Sequence, residues 1–140
     1  MSMNKIIVTG GAGFIGSNLC AYLLQNNVKV TCLDNLITGK LENIEELMSN
    51  ANFKFINGDI TNLNDCTNAC KDIDIILHQA ALGSVPRSIE NPINTNNINI
   101  SGFLNILWAA KASNIKRVVY AVKNPSLNLY QSKQVLILIA

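Results

Sequence analysis

The sequence predicts a doubly wound α/β fold, in which helices cover both faces of a parallel sheet. Short apolar runs alternate with segments whose apolar residues recur at helical spacing, a pattern that forms parallel sheets with right-handed crossovers. The first apolar run leads directly into a glycine-rich turn. The length of 140 residues fits one domain and is sufficient to bury a core without disulfides or a structural metal.

Five apolar runs predict the strands, and the first contains Ile6, Ile7 and Val8 in succession. Continuous runs of this kind are typical of parallel strands buried on both faces. The expected order across the sheet is 3-2-1-4-5. The predicted strands are Lys5–Thr9, Lys29–Asp34, Phe53–Asn57, 74–78 and 117–121.

Four segments predict helices. Ile15 and Leu19 begin the apolar face of the first one. Asn91 and Pro92 mark the start of the last one, because asparagine is a favoured N-cap and proline a favoured first residue. The predicted helices are Phe14–Gln25, 41–48, 64–70 and 92–112.

The connection at 79–90 is predicted as a loop that is longer than usual for this fold. It begins at the carboxyl end of a strand, which is where open α/β sheets bind ligands. A ligand-contacting segment is therefore one interpretation, and a solvated polar loop is the other.

The composition excludes several classes of protein. Apolar residues make up 49% of the chain and charged residues 14%, which is not the composition of a disordered protein. A formal net charge of +2 supplies no basic surface for nucleic acid. No apolar run approaches the roughly 18–20 residues of a membrane helix, and no signal-peptide core is present. We therefore expect a cytoplasmic protein without a nucleic-acid or membrane partner.

The four cysteines are expected to be free thiols, because nothing in the sequence indicates secretion. Cys66 and Cys70 lie four residues apart, so a shared metal ion is the alternative. The one histidine, His78, falls in a predicted strand, and we expect no metal site.

The glycine-rich turn places Gly10, Gly13 and Gly16 between the first strand and the first helix. Gly10 permits the tight turn, Gly13 lets the backbone approach a pyrophosphate, and Gly16 lets the helix pack closely on the sheet. The pyrophosphate would lie on the N–H groups at the start of the helix, around Phe14 and Ile15. A purely structural turn is the alternative.

Asp34 ends the second predicted strand, 21 residues after Gly13. A carboxylate at this position accepts hydrogen bonds from the ribose hydroxyls of NAD and repels the 2′-phosphate of NADP. We therefore expect NAD as the cofactor. Lys40 is near in sequence, which leaves NADP as the alternative.

The spacing Gly10-x-x-Gly13-x-x-Gly16 resembles that of the extended short-chain dehydrogenase/reductases, in particular the NAD-dependent epimerase/dehydratase family. Four further motifs are similar to that family and keep its order. They are Asp34-Asn35 with Thr38-Gly39, Gly58-Asp59-Ile60, His78-Gln79-Ala80-Ala81 and Asn99-Ile100-Ser101-Gly102. The resemblance implies a Rossmann-type fold and an NAD site. The cofactor-binding residues it implies are Gly10, Gly13, Phe14, Ile15, Gly16, Asp34, Asn35, Thr38, Gly39, Asp59, Ile60, Gln79, Ala80, Ala81 and Asn99.

The segment 81–88 is similar to the corresponding segment of bacterial UDP-N-acetylglucosamine 4-epimerases. UDP-glucose and UDP-glucuronate epimerases share much of this region. The resemblance implies a UDP-sugar substrate, with Gly83, Ser84 and Arg87 near it.

In this family a Ser/Thr pair follows the fifth strand, and a Tyr-x-x-x-Lys pair lies on the next helix. This sequence has Val122-Lys123-Asn124 where the hydroxyl groups are expected. The resemblance makes Tyr130 and Lys133 the candidate catalytic pair, but they are three residues apart instead of four. On a helix, this rotates the lysine by about 100°. We therefore expect weak activity or none.

We expect residues 1–121 to form an NAD-binding domain and residues 122–140 a degenerate or truncated C-terminal segment, without the family's C-terminal substrate domain. The chain is interpreted as the product of a shortened or internally deleted epimerase gene. The apolar residues 135–140 predict a sticky surface or a strand that pairs with another chain. The alternatives to an epimerase are a non-catalytic NAD-binding or interaction module, as a homodimer or bound to a full-length epimerase, and a product without function.

Overall fold

The computed structural model describes residues 4–122 and 134–138. Its sheet has six strands in the order β3-β2-β1-β4-β5-β6. The first five are parallel, which confirms the predicted order, and β6 runs antiparallel to β5. The strands are β1 (Lys5–Thr9), β2 (Lys29–Asp34), β3 (Phe53–Asn57), β4 (Ile75–His78), β5 (Arg117–Val122) and β6 (Gln134–Leu138).

Helices cover both faces of the sheet. The amide side chains of Asn62 and Asn91 and the hydroxyl of Ser84 cap three of them. The helices are α1 (Phe14–Gln25), α2 (Leu63–Ala69), α3 (Val85–Glu90), α4 (Pro92–Asn96) and α5 (Phe103–Ala112), with a π-helical segment (Asn97–Gly102) between α4 and α5.

Strand β1 divides the core into two parts. Successive side chains of a strand point to opposite faces, so Ile7 enters one cluster and Val8 the other. The Ile7 cluster contains Ile76 of β4 and Ile106 of α5. The Val8 cluster packs β2 against α1. Both faces of the sheet are therefore buried around its two central strands, as the continuous apolar run predicts.

All four cysteines are buried and free. Burial raises the pKa of Cys66 to about 12 and that of Cys70 to about 11. A hydrogen bond with the Cys20 thiol, together with burial, also raises the pKa of Cys32. These thiols therefore act as small apolar core residues.

The predicted helix at 41–48 is wrong. Two 3₁₀ segments, Leu41–Asn43 and Glu45–Ser49, form there instead, with Ile44 between them at φ −124°. Ile44 is fully buried, whereas Leu41 and Met48 are exposed. Ile44 and the partly buried Leu47 attach this segment to the core, but the predicted stripe of Leu41, Ile44 and Met48 is not buried as a whole and does not hold a continuous helix.

Two other predictions about local structure need correction. The predicted loop at 79–90 contains helix α3, which Ser84 caps and Pro86 helps to start. The predicted helix at 92–112 is interrupted by the π-helical segment.

A strand forms at 134–138, within the apolar end of the chain, and the pairing of this end with another chain stays a prediction. Strand β6 pairs with β5 of the same chain, with Val119 opposite Ile137 and Ala121 opposite Val135. This pairing satisfies N–H and C=O groups that β5 would otherwise expose at the edge of the sheet.

Within the described residues, no helix combines the length and the apolar character that crossing a bilayer requires.

We predict that Ile76→Ala lowers the free energy of unfolding by about 3 kcal/mol, because it opens a cavity between β4 and the helices. Ile93→Ala is the matched control, since Ile93 is 82% exposed. It should change stability by less than about 0.5 kcal/mol. Urea unfolding followed by circular dichroism measures both. Equal effects of the two substitutions would contradict the assignment of the core.

Candidate functional site

A cavity of about 490 Å³ lies at the carboxyl ends of the parallel strands. It opens between β2 and β4 over the end of β1, where the chain changes its direction of winding and open α/β sheets bind ligands. Its lining residues are Gly10, Gly13, Phe14, Ile15, Gly16, Leu33, Asp34, Asn35, Ile37, Thr38, Gly58, Ile60, Gln79, Ala80, Ala81, Leu82, Gly83 and Ile98.

The glycine-rich turn forms the floor of this cavity. Gly10 has φ +67°, and a Cβ there would lie 2.7 Å from the backbone nitrogen of Ala80. A Cβ on Gly16 would collide with the carbonyl oxygen of Gly10. A side chain at either position would therefore force the turn away from β4 or α1 away from the sheet.

The start of α1 presents backbone N–H groups to the cavity. The first hydrogen bond of the helix runs from the N–H of Ser17 to the carbonyl of Gly13 at 2.9 Å. The N–H groups of Phe14, Ile15 and Gly16 precede that bond and have no acceptor inside the helix. The first turn contains no acidic residue. These N–H groups and the positive end of the helix dipole favour an anion.

The Asp34 carboxylate lines the cavity while only 8% of the residue is exposed. Its Oδ2 accepts a hydrogen bond from the N–H of Ala12 at 3.0 Å, and its Oδ1 accepts one from the N–H of Leu36 at 2.8 Å. Gly39 lies directly behind it, where a Cβ would be 2.9 Å from both carboxylate oxygens. A carboxylate has about four acceptor positions, so Asp34 keeps capacity for a ligand.

Asp59 lies between two lining residues, Gly58 and Ile60, on the Asp34 side of the cavity. Its Oδ2 accepts a hydrogen bond from Asn35 Nδ2 at 3.0 Å, and its Oδ1 accepts bonds from the N–H and hydroxyl of Thr61, each at 2.8 Å. Burial raises the pKa of Asp59, but the bonds from Thr61 and Asn35 outweigh it and hold the pKa below its ordinary value. The carboxylate therefore stays charged and fixes the position of Asn35.

Asn99 fixes the opposite wall. Its Oδ1 accepts a hydrogen bond from the N–H of Leu82 at 2.8 Å, and its Nδ2 donates one to the carbonyl of Leu82 at 2.9 Å. The side chain thus holds the loop after β4 against the π-helical segment, and such segments are frequent at functional sites.

A second cavity of about 340 Å³ adjoins the first on the β4–β5 side. Its lining residues are His78, Gln79, Ala80, Ala81, Asn99, Phe103, Tyr120 and Ala121. The rings of His78 and Phe103 are stacked with centroids 5.0 Å apart, and Tyr120 lies against Phe103 at 4.7 Å.

His78 is neutral in this environment, because burial lowers its pKa to about 4. The Thr9 hydroxyl oxygen accepts a hydrogen bond from the N–H of Ala80 at 3.3 Å and lies 2.7 Å from Nδ1 of His78. The imidazole is neutral, so one hydrogen bond joins Nδ1 to the Thr9 hydroxyl, and the tautomer of His78 determines which of the two groups donates.

The structure brings together most of the residues that the sequence analysis proposes for the cofactor. All of them line the first cavity except Gly39 and Asp59, which line neither cavity, and Asn99, which lines the second cavity. Gly83 also lines the first cavity. Contact with a ligand stays a prediction for each of these residues.

Other proposed residues lie elsewhere. Ser84 accepts a hydrogen bond from the N–H of Arg87 as the cap of α3, and the Arg87 side chain is exposed. Tyr130 and Lys133 lie outside the described residues.

The sequence analysis missed several apolar residues of the first cavity. These residues have no chemical signature of their own, although most of them adjoin a motif residue. They are Leu33, Ile37, Gly58, Leu82 and Ile98.

Comparison with protein families finds one match that covers most of the chain. The profile of the NAD dependent epimerase/dehydratase family matches residues 6–122. A protein of Methanocaldococcus jannaschii, provisionally named a UDP-glucose 4-epimerase, is 42% identical over 118 residues. That alignment covers 83% of this chain and 37% of the relative.

Solved structures give the same result. UDP-N-acetylglucosamine 4-epimerase from Methanobrevibacter ruminantium, in complex with UDP-N-acetylmuramic acid, is 37% identical with a TM-score of 0.81. The match covers 97% of this chain and 45% of that one. UDP-glucose 4-epimerase from Thermus thermophilus, in complex with NAD, is 30% identical with a TM-score of 0.75, over 91% of this chain and 42% of that one. The chain thus spans less than half the length of these proteins.

We predict that the pKa of His78 makes stability pH-dependent. The unfolded chain binds the imidazole proton below about pH 6.5 and the folded chain only near pH 4, so stability is lost as pH falls through this window. The full loss is roughly 3 kcal/mol. His78→Gln should remove this component from urea unfolding measured between pH 7.5 and 4.5.

The titration can also be observed directly, because the chain has one histidine. The ring ¹⁵N signals should indicate a neutral imidazole at pH 6. A pKa between 6 and 7, or the same pH dependence in wild type and variant, would contradict the buried neutral imidazole.

Proposed function

The chain belongs to the NAD-dependent epimerase/dehydratase family, and from that premise we propose that it binds NAD and forms the cofactor-binding part of a UDP-sugar 4-epimerase. The observation that carries the proposal is one cavity with two complementary features. The unbonded N–H groups at the start of α1 suit a pyrophosphate, and the Asp34 carboxylate at the end of β2 suits a ribose diol.

The two ends of the cofactor have distinct places in this proposal. The adenosine half lies on the side of β2 and β3, with the ribose at Asp34 and the base near Gly58 and Ile60. The other half extends over the turn at Gly10 towards the second cavity. The wall there is formed by the neutral His78 ring and by Asn99, whose side chain is hydrogen-bonded to the backbone of Leu82.

The resemblance implies that NAD held in this cavity would supply the hydride acceptor and donor for the inversion at C4 of the sugar. The chain's own residues bind, orient and exclude water. Gly83, Ser84 and Arg87 follow β4 and are proposed to contact the UDP-sugar, with the exposed Arg87 guanidinium suited to a phosphate. UDP-N-acetylglucosamine is the proposed substrate, in line with the resemblance of segment 81–88.

Proton transfer is assigned to the C-terminal residues of the chain. Tyr130 is the proposed base for the sugar hydroxyl, and Lys133 the cation that lowers its pKa. Their interval of three residues does not match the family's spacing, and Val122-Lys123-Asn124 offers no hydroxyl group.

These departures favour a second candidate, a non-catalytic NAD-binding module. In this alternative, residues 1–121 hold the cofactor, residues 122–140 carry no catalytic groups, and the partner is a second copy or a full-length epimerase. Incubation with UDP-N-acetylglucosamine and NAD separates the candidates. Formation of the 4-epimer supports the enzyme, and NAD binding without turnover supports the module.

We predict that NAD binds the 140-residue chain and that Asp34→Asn weakens binding by about tenfold or more. The substitution removes the charge that strengthens hydrogen bonds to the ribose hydroxyls. Isothermal titration calorimetry measures both dissociation constants, and thermal unfolding shows whether the variant is folded.

Asp72→Asn is the matched control for this prediction. Asp72 is exposed and has φ +59°, a conformation that asparagine also tolerates. The Asp72→Asn substitution removes one negative charge, as Asp34→Asn does, but at a site away from the cavity. Its NAD dissociation constant should therefore stay within twofold of the wild-type value. A folded wild-type chain that binds no NAD would refute the proposed function.

A further inference from the structure

Asn105 lies on α5 outside both cavities, yet its side chain reaches the turn between β3 and α2. Its Nδ2 donates one hydrogen bond to the carbonyl of Ile60 at 2.9 Å and a second to the carbonyl of Thr61 at 3.1 Å. The two N–H protons of the amide thus serve two acceptors that are 45 and 44 positions away in sequence.

The turn that Asn105 holds forms the Asp34 side of the first cavity. Gly58 and Ile60 line the cavity directly. The turn also carries Thr61, whose N–H and hydroxyl donate to Asp59, and Asp59 in turn accepts from Asn35. A continuous set of hydrogen bonds therefore runs from α5 to the cavity wall.

The helix also approaches this turn closely through Gly102. A Cβ on Gly102 would lie 2.8 Å from Cδ1 and Cγ1 of the Ile60 side chain. The Ile60 side chain thus packs directly against Gly102, and the Ile60 carbonyl accepts hydrogen bonds from Asn105 and, at 3.3 Å, from the Cys66 thiol.

We propose that Asn105 is a positioning residue for the adenosine half of the dinucleotide site. It touches no ligand and acts through the backbone of Ile60 and Thr61, which sets the position of the wall that faces the base. This inference rests on the proposed function, because it assigns that wall to adenosine.

Asn99 provides a comparison on the same helical stretch. Its side chain makes two hydrogen bonds with the backbone of Leu82 on the opposite wall of the first cavity, so its loss should disturb a different part of the site. Adenosine monophosphate contains only the half of NAD that faces β2 and β3. The two probes, NAD and adenosine monophosphate, therefore distinguish the effects of the two asparagines.

The test measures dissociation constants of both probes by NMR titration for wild type, Asn105→Ala, Asn99→Ala and Asn96→Ala. Asn105→Ala should weaken both probes about fivefold. Asn99→Ala should weaken NAD and leave adenosine monophosphate within twofold. Asn96 is exposed, and Asn96→Ala should change neither.

Unchanged affinity for adenosine monophosphate in Asn105→Ala would overturn the inference, even if stability falls, because that result describes a purely structural residue. Failure of the variant to fold would also overturn it, since the effect is assigned to one turn.

Hydrogen exchange separates this inference from the proposed function. In ligand-free protein, Asn105→Ala should accelerate exchange of the Thr61 N–H and the Asn35 side-chain amide. If wild type binds no NAD, the proposed function fails. Accelerated exchange would then still support the positioning of the turn, and unchanged exchange would refute it.

Discussion

The structure depends on the close approach of three backbone segments at the end of β1. The N–H of Gly10 donates to the carbonyl of Leu33 at 2.8 Å, and the N–H of Gln79 donates to the carbonyl of Thr9 at 3.0 Å. A Cβ at Gly10 would break this arrangement because it would enter the backbone of Ala80. The same turn aims α1 at the cavity and brings the N–H of Ala12 to Asp34. Fold and site therefore share one constraint.

Most of the parallel sheet could be predicted from sequence because its signals are local. Apolar runs identify β1 to β5, and alternation with helices fixes the order of the sheet. Local sequence patterns did not predict the secondary structure of segments whose conformation depends on contacts with distant parts of the chain. The conformation of segment 41–49 depends on the packing of Ile44 and Leu47 against the core, and β6 pairs with β5, which is distant from it in sequence. Ser84 as an N-cap and Pro86 in the first turn do indicate helix α3 in the sequence, but this segment was interpreted as a loop because of its position after β4.

The predictable part of the site follows the same rule. The glycine spacing and Asp34 lie on consecutive elements of one βαβ unit, so their convergence is local geometry. Asn105 could not be found in this way, because its partners are more than 40 positions away and an asparagine within a helix has many uses. Asn99 lines the second cavity, and its side-chain oxygen and nitrogen both bond to Leu82, while its contact with the cofactor stays a prediction. The sequence indicated a polar side chain at this place in the site, but it did not indicate that Leu82 is its hydrogen-bond partner.

The placement of a ribose at Asp34 is the central claim, and the ratio of NADP to NAD affinity tests it most directly. A 2′-phosphate carries about −1.5 to −2 charges and would face a buried carboxylate whose partners are backbone N–H groups. Titration of both dinucleotides into the same chain should show NAD bound at least tenfold more tightly. Equal affinities, or tighter binding of NADP, would contradict this account of the cavity.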